Sequence, residues 1–139
     1  MAKRTRPRQA PPQRLILDSG AVIALSRNDV RARAALAAAL EAGAEVSIPA
    51  VVVAETVRGR ADDPPVNRIV KAVGEIDLVD EAIARVAGSL LGDTGSSSTV
   101  DAIVVATAIE THGAVVLTGD PQDLGALASD HAEVVIQPL

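Results

Sequence analysis

Apolar and polar residues succeed one another along this chain in short blocks, and the period of the blocks switches between that of a buried strand and that of a helix. Residues 14–17 end in three aliphatic side chains and predict a short buried strand. Residues 19–26 predict a helix, and 29–42 a second one, with Asp29 as N-cap and Gly43 as its stop. A strand over 45–48 runs into Pro49, which suits the first turn of a helix reaching residue 57. After Asp62-Asp63-Pro64-Pro65 a helix over 66–73 ends at Gly74, and the alternation in 75–79 predicts another strand. Asp80 caps a helix on which Ile83, Val86, Ala87, Leu90 and Leu91 share one face. Residues 92–99 read as a loop, 100–112 as a strongly apolar buried helix, 114–117 as a strand, 121–128 as a short helix and 133–137 as a closing strand.

Strands separated by helices predict an α/β fold with a mainly parallel sheet of five strands and helices on both faces. No internal repeat interrupts the pattern, and 139 residues suit one domain, residues 15–139, preceded by a segment of different character.

Composition changes the picture in three ways. The core must be aliphatic, because there is no Phe, Tyr or Trp, and no side chain offers a platform on which a base could stack. The absence of cysteine excludes disulfides and thiolate metal sites. No apolar run approaches the ~20 residues of a membrane span, and prolines occupy the place of a signal peptide's apolar core, so a soluble cytoplasmic protein is expected.

The net charge of −5 hides a division. Lys3, Arg4, Arg6, Arg8 and Arg14 give residues 1–14 a charge of +5, which reads as a disordered basic tail, either an electrostatic arm for RNA or a solubilising extension. The remaining residues carry 8 basic against 18 acidic side chains.

Four of those acids sit where a lone carboxylate is hard to justify. Asp18 closes Leu15-Ile16-Leu17, Glu55 follows Val51-Val52-Val53-Ala54, Asp101 opens Ala102-Ile103-Val104-Val105-Ala106, and Asp120 ends Val115-Val116-Leu117-Thr118-Gly119. Each has a local explanation. Asp18 and Asp120 are N-cap candidates, with Asp123 completing a box-like arrangement after Asp120. Asp101 lies in the favourable first turn of a helix, and Glu55 can reach solvent or Arg58. Asp18 and Asp120 nevertheless end strands, and open parallel sheets build their sites at strand carboxyl ends. Two carboxylates about 4 Å apart repel by ~4 kcal/mol at an effective dielectric near 20. Convergence of the four therefore calls for a hard divalent cation, Mg²⁺ or Mn²⁺.

These segments carry a resemblance. Leu15-Ile16-Leu17-Asp18-Ser19-Gly20-Ala21, Ile48-Pro49 through Glu55, Thr99-Val100-Asp101-Ala102 through Ala108, and Val116-Leu117-Thr118-Gly119-Asp120 are similar to the motifs of PIN-domain ribonucleases, more narrowly the VapC-type toxins of toxin–antitoxin pairs. The resemblance implies a three-layer sandwich and a metal-dependent endoribonuclease acting on structured RNA such as tRNA or rRNA. It implies Asp18, Glu55, Asp101 and Asp120 as catalytic metal-site acids, Ser19 and Thr118 as hydroxyls supporting them, and Asp123 as an auxiliary acid. A cognate antitoxin and a homodimer are further implications. Arg27, Arg58 and Arg60 are candidates for RNA contacts, set against their reading as solvated surface charge.

Other classes fit less well. A phosphoacceptor receiver domain needs a late lysine, but none follows Lys71, and a haloacid-dehalogenase-type phosphatase needs an acid where Gly20 stands. No Gly-x-Ser-x-Gly elbow supports a serine nucleophile. His112 at a helix end and His131 in a polar loop read as dipole-complementing and solvated, respectively. The serious rival is a non-catalytic PIN-like RNA- or protein-binding module, with a PIN nuclease of RNA processing as a variant of the main reading.

Overall fold

The structure is a computed structural model and describes residues 13–139. The basic tail expected over residues 1–14 falls almost wholly outside the described residues. Its last member, Arg14, opens the first strand.

The chain forms β1 (Arg14–Leu17), α1 (Ser19–Ser26), α2 (Val30–Glu41), β2 (Glu45–Pro49), α3 (Ala50–Thr56) and α4 (Pro64–Val73). It continues through β3 (Ile76–Asp77), α5 (Glu81–Thr94), α6 (Thr99–Glu110), β4 (Ala114–Thr118), α7 (Pro121–Leu127) and β5 (Val134–Pro138). All five strands are parallel, in the order β3-β2-β1-β4-β5. The chain starts in the middle of the sheet, winds outward to β3, and returns to lay β4 against the other side of β1. The crossovers place α1–α4 on one face and α5–α7 on the other, as right-handed connections require. Among the described residues no helix is long and apolar enough to cross a membrane.

Why the elements form is plain from their side chains. Leu15, Ile16 and Leu17 of β1 and Val116 and Leu117 of β4 are buried, as strands covered on both faces must be. Asp29 and Asp80 cap α2 and α5, accepting from the N–H groups of Ala32 and Ile83 at 2.9 and 2.8 Å. The apolar helix α6 lies inside, with Ala102, Val104, Val105, Ala106 and Ala108 all at 0% exposure, which makes it the inner wall of the second helical layer.

Three elements differ from the sequence pattern. The strand expected over 75–79 shrinks to two residues. Its partner β2 turns into α3 immediately after Pro49, so the ladder has nothing to pair with, and Leu78 and Val79 are exposed. The loop expected over 92–99 begins only at Gly95, a left-handed C-cap at φ 70°. Gly92 costs α5 about 1 kcal/mol, but the buried Leu90 and the Thr94 hydroxyl, bonded to the Leu90 carbonyl at 2.7 Å, carry the helix past it. Finally, α4 begins at Pro64 rather than Val66, because prolines at the first two helical positions lack only N–H groups that the helix does not use.

Arg14 deserves its own place in the fold. Its guanidinium meets Glu45 at 2.7 Å, Glu75 at 3.1 Å and Asp77 at 3.7 Å, joining β1 to β2 and β3 at one end of the sheet.

Candidate active site

The switch point of the sheet is the seam between β1 and β4, and the carboxyl ends of these strands are locked together. The Asp18 N–H donates to the Leu117 carbonyl at 3.0 Å. The Thr118 hydroxyl donates to Asp18 Oδ2 at 2.8 Å and accepts from the Asp120 N–H at 2.9 Å, so one side chain ties the Asp18 carboxylate to the backbone at Asp120. Asp18 Oδ1 accepts from the Ser19 N–H at 2.7 Å, capping α1 at the same time. The cap reading and the site reading of Asp18 are therefore compatible.

Backbone proximity completes the seam. A Cβ on Gly20 would stand 2.9 Å from the Gly119 nitrogen and 3.1 Å from its Cα. Only a glycine at position 20 lets the first turn of α1 lie this close to the turn that follows β4.

Asp101 reaches the seam from the first turn of the buried α6, half-buried, with Ser98 Oγ donating to its Oδ2 at 2.7 Å. Ser98 stands at the N-cap of α6, yet its hydroxyl makes no cap bond and holds the carboxylate instead. One carboxylate oxygen each from Asp101, Asp120 and Asp123 lie within 4.8 Å of one another. Asp123, the acid expected in an auxiliary place, stands in this group with Asp101 and Asp120. α7 starts at Pro121 and carries Asp123 one turn on, beside Asp120, into the tightest acidic group among the described residues. The box-like bond from the Asp123 N–H to Asp120 Oδ1 is long, at 3.5 Å.

Glu55, in the last turn of α3, is exposed and accepts a hydrogen bond from Ser19 Oγ. It does not pair with Arg58, whose Nη1 donates to the Ala54 carbonyl at 2.9 Å. The remaining candidates lie to one side: Arg27, Arg58 and Arg60 gather around the end of α1. His112 is exposed, with a left-handed φ of 65° beyond the end of α6, and His131 Nδ1 lies 3.4 Å from Glu133, both away from the acids.

The electrostatics follow from this crowding. Burial pushes the Asp18 carboxyl above the ordinary carboxylate range, as do the charges on Asp101 and Glu55, while its bonds to Thr118 and Ser19 pull it down. Asp123 is also raised, first by a hydrogen bond shared with Asp120 and then by the charge of Asp120, with burial and Asp101 adding to the rise. Among the described residues none of the five acids forms an ion pair with a lysine, arginine or histidine. An all-carboxylate donor set with no protein cation beside it fits a hard divalent ion such as Mg²⁺ or Mn²⁺.

A family model described as the PIN domain matches residues 15–128. The chain belongs to the PIN domain family. The match runs from β1 through the whole of α7 and so includes all five acids. No curated protein sequence matches this chain. Among solved structures, the PIN domain is similar to a chain of a toxin–antitoxin complex from Klebsiella pneumoniae, with 21% identity over 87% of this chain and 95% of the other and a TM-score of 0.67. A chain of VapBC2 from Rickettsia felis, bound to a DNA fragment from its promoter, is 14% identical, covering 90% and 98% at a TM-score of 0.68. One from FitAcB of Neisseria gonorrhoeae is 22% identical over 88% and 95%, with a TM-score of 0.62. These likenesses establish the VapC-like PIN fold, a parallel three-layer α/β sandwich.

Two parts of this site have no distinguishing signal in the sequence. Ser98 lies in a serine run with the pattern of a plain loop, and Gly20 stands out only as the position where a second acid is absent.

Proposed function

We propose that this PIN domain is a metal-dependent endoribonuclease and the toxin of a toxin–antitoxin pair. The observation that carries the reading is the meeting of Asp101, Asp120 and Asp123 within 4.8 Å, with Asp18 and Glu55 beside them and no cationic side chain to offset the charge.

Asp101, Asp120 and Asp123 would hold Mg²⁺ or Mn²⁺, with Asp18 behind them on the seam. When bound, the ion lowers the pKa of a coordinated water and offsets the charge gathering on the phosphate oxygens during hydrolysis. Everything else is the work of the chain. Thr118 and Ser98 lock the rotamers of Asp18 and Asp101, so the donor atoms are in place before any ligand arrives. Ser19 aims the exposed carboxylate of Glu55 across the mouth of the site, where it takes the proton of the attacking water. That water's oxygen forms the new P–O bond as the bond to the leaving ribose oxygen breaks, and the leaving oxygen takes a proton from solvent water.

The substrate is structured RNA, such as tRNA or rRNA. Without an aromatic residue in the chain, recognition runs through backbone shape and phosphates. The toxin assignment adds a cognate antitoxin, in line with the toxin–antitoxin complexes to which the fold is similar, and a homodimer in the cytoplasm. The test is incubation of the purified protein with a panel of structured RNAs and Mn²⁺. Wild type cleaves, EDTA stops it, and Asp101→Asn lowers the rate by more than about 100-fold. Cleavage that survives the substitution places the chemistry elsewhere, and no cleavage of any RNA favours the non-catalytic binding module.

A further inference from the structure

The seven residues between α3 and α4, Val57 to Asp63, contain a device that the acidic site does not use. Asp63 is buried, at 6% exposure, and stands at the start of α4 without capping it. Its carboxylate turns back into the loop. It accepts from the N–H of Arg58 at 3.1 Å to both oxygens, from Gly59 at 2.6 Å and from Arg60 at 3.1 Å. Three successive backbone donors close on one side chain, and Gly59 sits at φ 69° to make the bend. The Arg58 N–H lowers the Asp63 carboxyl most, and those of Arg60 and Gly59 lower it further, so the clasp is made by the ionised form.

Arg58 and Arg60, whose N–H groups the clasp holds, are both exposed, and Arg58 Nη1 donates to the Ala54 carbonyl at 2.9 Å. With Arg27, the C-cap of α1, they line a groove of about 290 Å³ floored by Ile23, Ser26 and Thr56. Asp62 is on its rim, but none of the three guanidinium groups forms an ion pair among the described residues. Against Asp62 and Asp63 in the same lining, the three arginines leave a small positive excess, in a domain whose body carries 8 basic and 18 acidic side chains. Helix α1 links the groove to the acidic seam. α1 runs from Ser19 at the seam to Ser26 at the groove, about 12 Å for eight residues. That distance is on the order of a few nucleotides along a strand.

We propose that this groove is a second anion subsite that binds a backbone phosphate of the RNA strand a few nucleotides from the acidic seam, and that Asp63 is its positioning residue. The choice of RNA as ligand rests on the nuclease reading. The geometry of the groove does not. Guanidinium forks suit phosphate oxygens, and the groove draws the strand toward a centre whose own charge repels it.

The test is binding without cleavage. The full chain in EDTA is titrated into a fluorescein-labelled, mixed-sequence single-stranded RNA, and anisotropy is followed over a range of NaCl concentrations. Arg27→Ala and Arg60→Ala should each lower the slope of log K against log salt by about 0.7, which is about a fourfold loss of affinity near 0.15 M salt. Asp63→Asn keeps every arginine, yet should lose affinity to a similar degree while the Mn²⁺-induced rise in melting temperature is unchanged. Gly59→Ala, which strains the same bend without touching a charge, should do likewise and stands in if Asp63→Asn does not fold. Wild-type slopes in both arginine variants would overturn the subsite, and so would a groove that binds a polyglutamate peptide but not RNA. Wild-type RNA affinity in a folded clasp variant would overturn the role of Asp63. Failure of the nuclease reading looks different: groove binding persists, but no RNA is cleaved when Mn²⁺ is supplied.

Discussion

Replacing Gly20 with alanine tests whether the seam between β1 and β4 is as tight as the backbone indicates. Two effects oppose one another. In a helix, alanine is better than glycine by about 0.5–1 kcal/mol, because it has less chain entropy to lose. Against this, the new methyl carbon would lie 2.9 Å from the Gly119 nitrogen and 3.1 Å from its Cα, short of ordinary contact, and its neighbour is backbone rather than a side chain that can swing away. The turn that would have to move is tied down on both sides, by the bond from the Asp18 N–H to Leu117 and by that from the Leu139 N–H to Thr118. Overpacking of this kind costs about 1–3 kcal/mol, so the clash wins by about 1 kcal/mol. At ~2.1 cal/mol/K per residue, a chain of this size loses about 3 °C of melting temperature for each kcal/mol.

The control is Gly88→Ala in α5, where nothing stands within 4 Å of the added carbon. There the propensity gain is unopposed and the melting temperature rises by about 2–3 °C. Far-UV circular dichroism is the assay of choice, since a chain without Trp or Tyr gives no intrinsic fluorescence. Displacing Gly119 also shifts Asp120 against Asp101, so the stabilisation that Mn²⁺ confers should shrink in Gly20→Ala and stay intact in Gly88→Ala. A Gly20→Ala protein that melts above wild type, with an undiminished response to Mn²⁺, would refute the reasoning.

Other predictions follow from the charges. Saturating Mn²⁺ at about 100 times its dissociation constant should stabilise the wild type by about 2.7 kcal/mol; Asp101→Asn should lose most of that shift, as read by melting with and without EDTA. Asp63 has a folded carboxyl below its ordinary value of 3.8, so its contribution is full above that value and is lost as pH falls through the folded one. In the acid range, then, urea midpoints should decline less steeply for Asp63→Asn than for wild type. Arg14→Ala leaves the largely buried Asp77, one of whose oxygens has no hydrogen-bond partner, without its cation. A loss of about 1–3 kcal/mol in urea unfolding is expected, and a change near zero would mean that the three pairs are too well solvated to matter.

Much of this arrangement was legible in the sequence because local physics and global fold agree. Leu15-Ile16-Leu17 and Val115-Val116-Leu117 can only be inner strands, and the acids that end them fall at strand carboxyl ends in any parallel sheet. Where the sequence misled, tertiary contact decided. Leu78 and Val79 have strand-like spacing but no partner, since β2 has already become α3. Gly92 looks like a stop, yet packing at Leu90 outweighs it. The side-chain partners of the site were the least legible. Nothing local separates Ser98 from Ser96 and Ser97, or predicts that Asp63 turns back to its own loop rather than capping α4. Those choices depend on what lies across the sheet or at the next turn.

The bond from Thr118 to Asp18 joins residues 100 positions apart, and the tightest acidic group draws two of its three members from beyond residue 118. A growing polypeptide that has emerged only as far as α6 holds Asp18, Glu55 and Asp101 but has no β4 to bring them to a finished centre. The proposed nuclease activity therefore cannot begin on the ribosome before β4 and α7 have emerged. A frameshift or proteolytic cut ahead of Asp120 would then abolish it as completely as replacing Asp101.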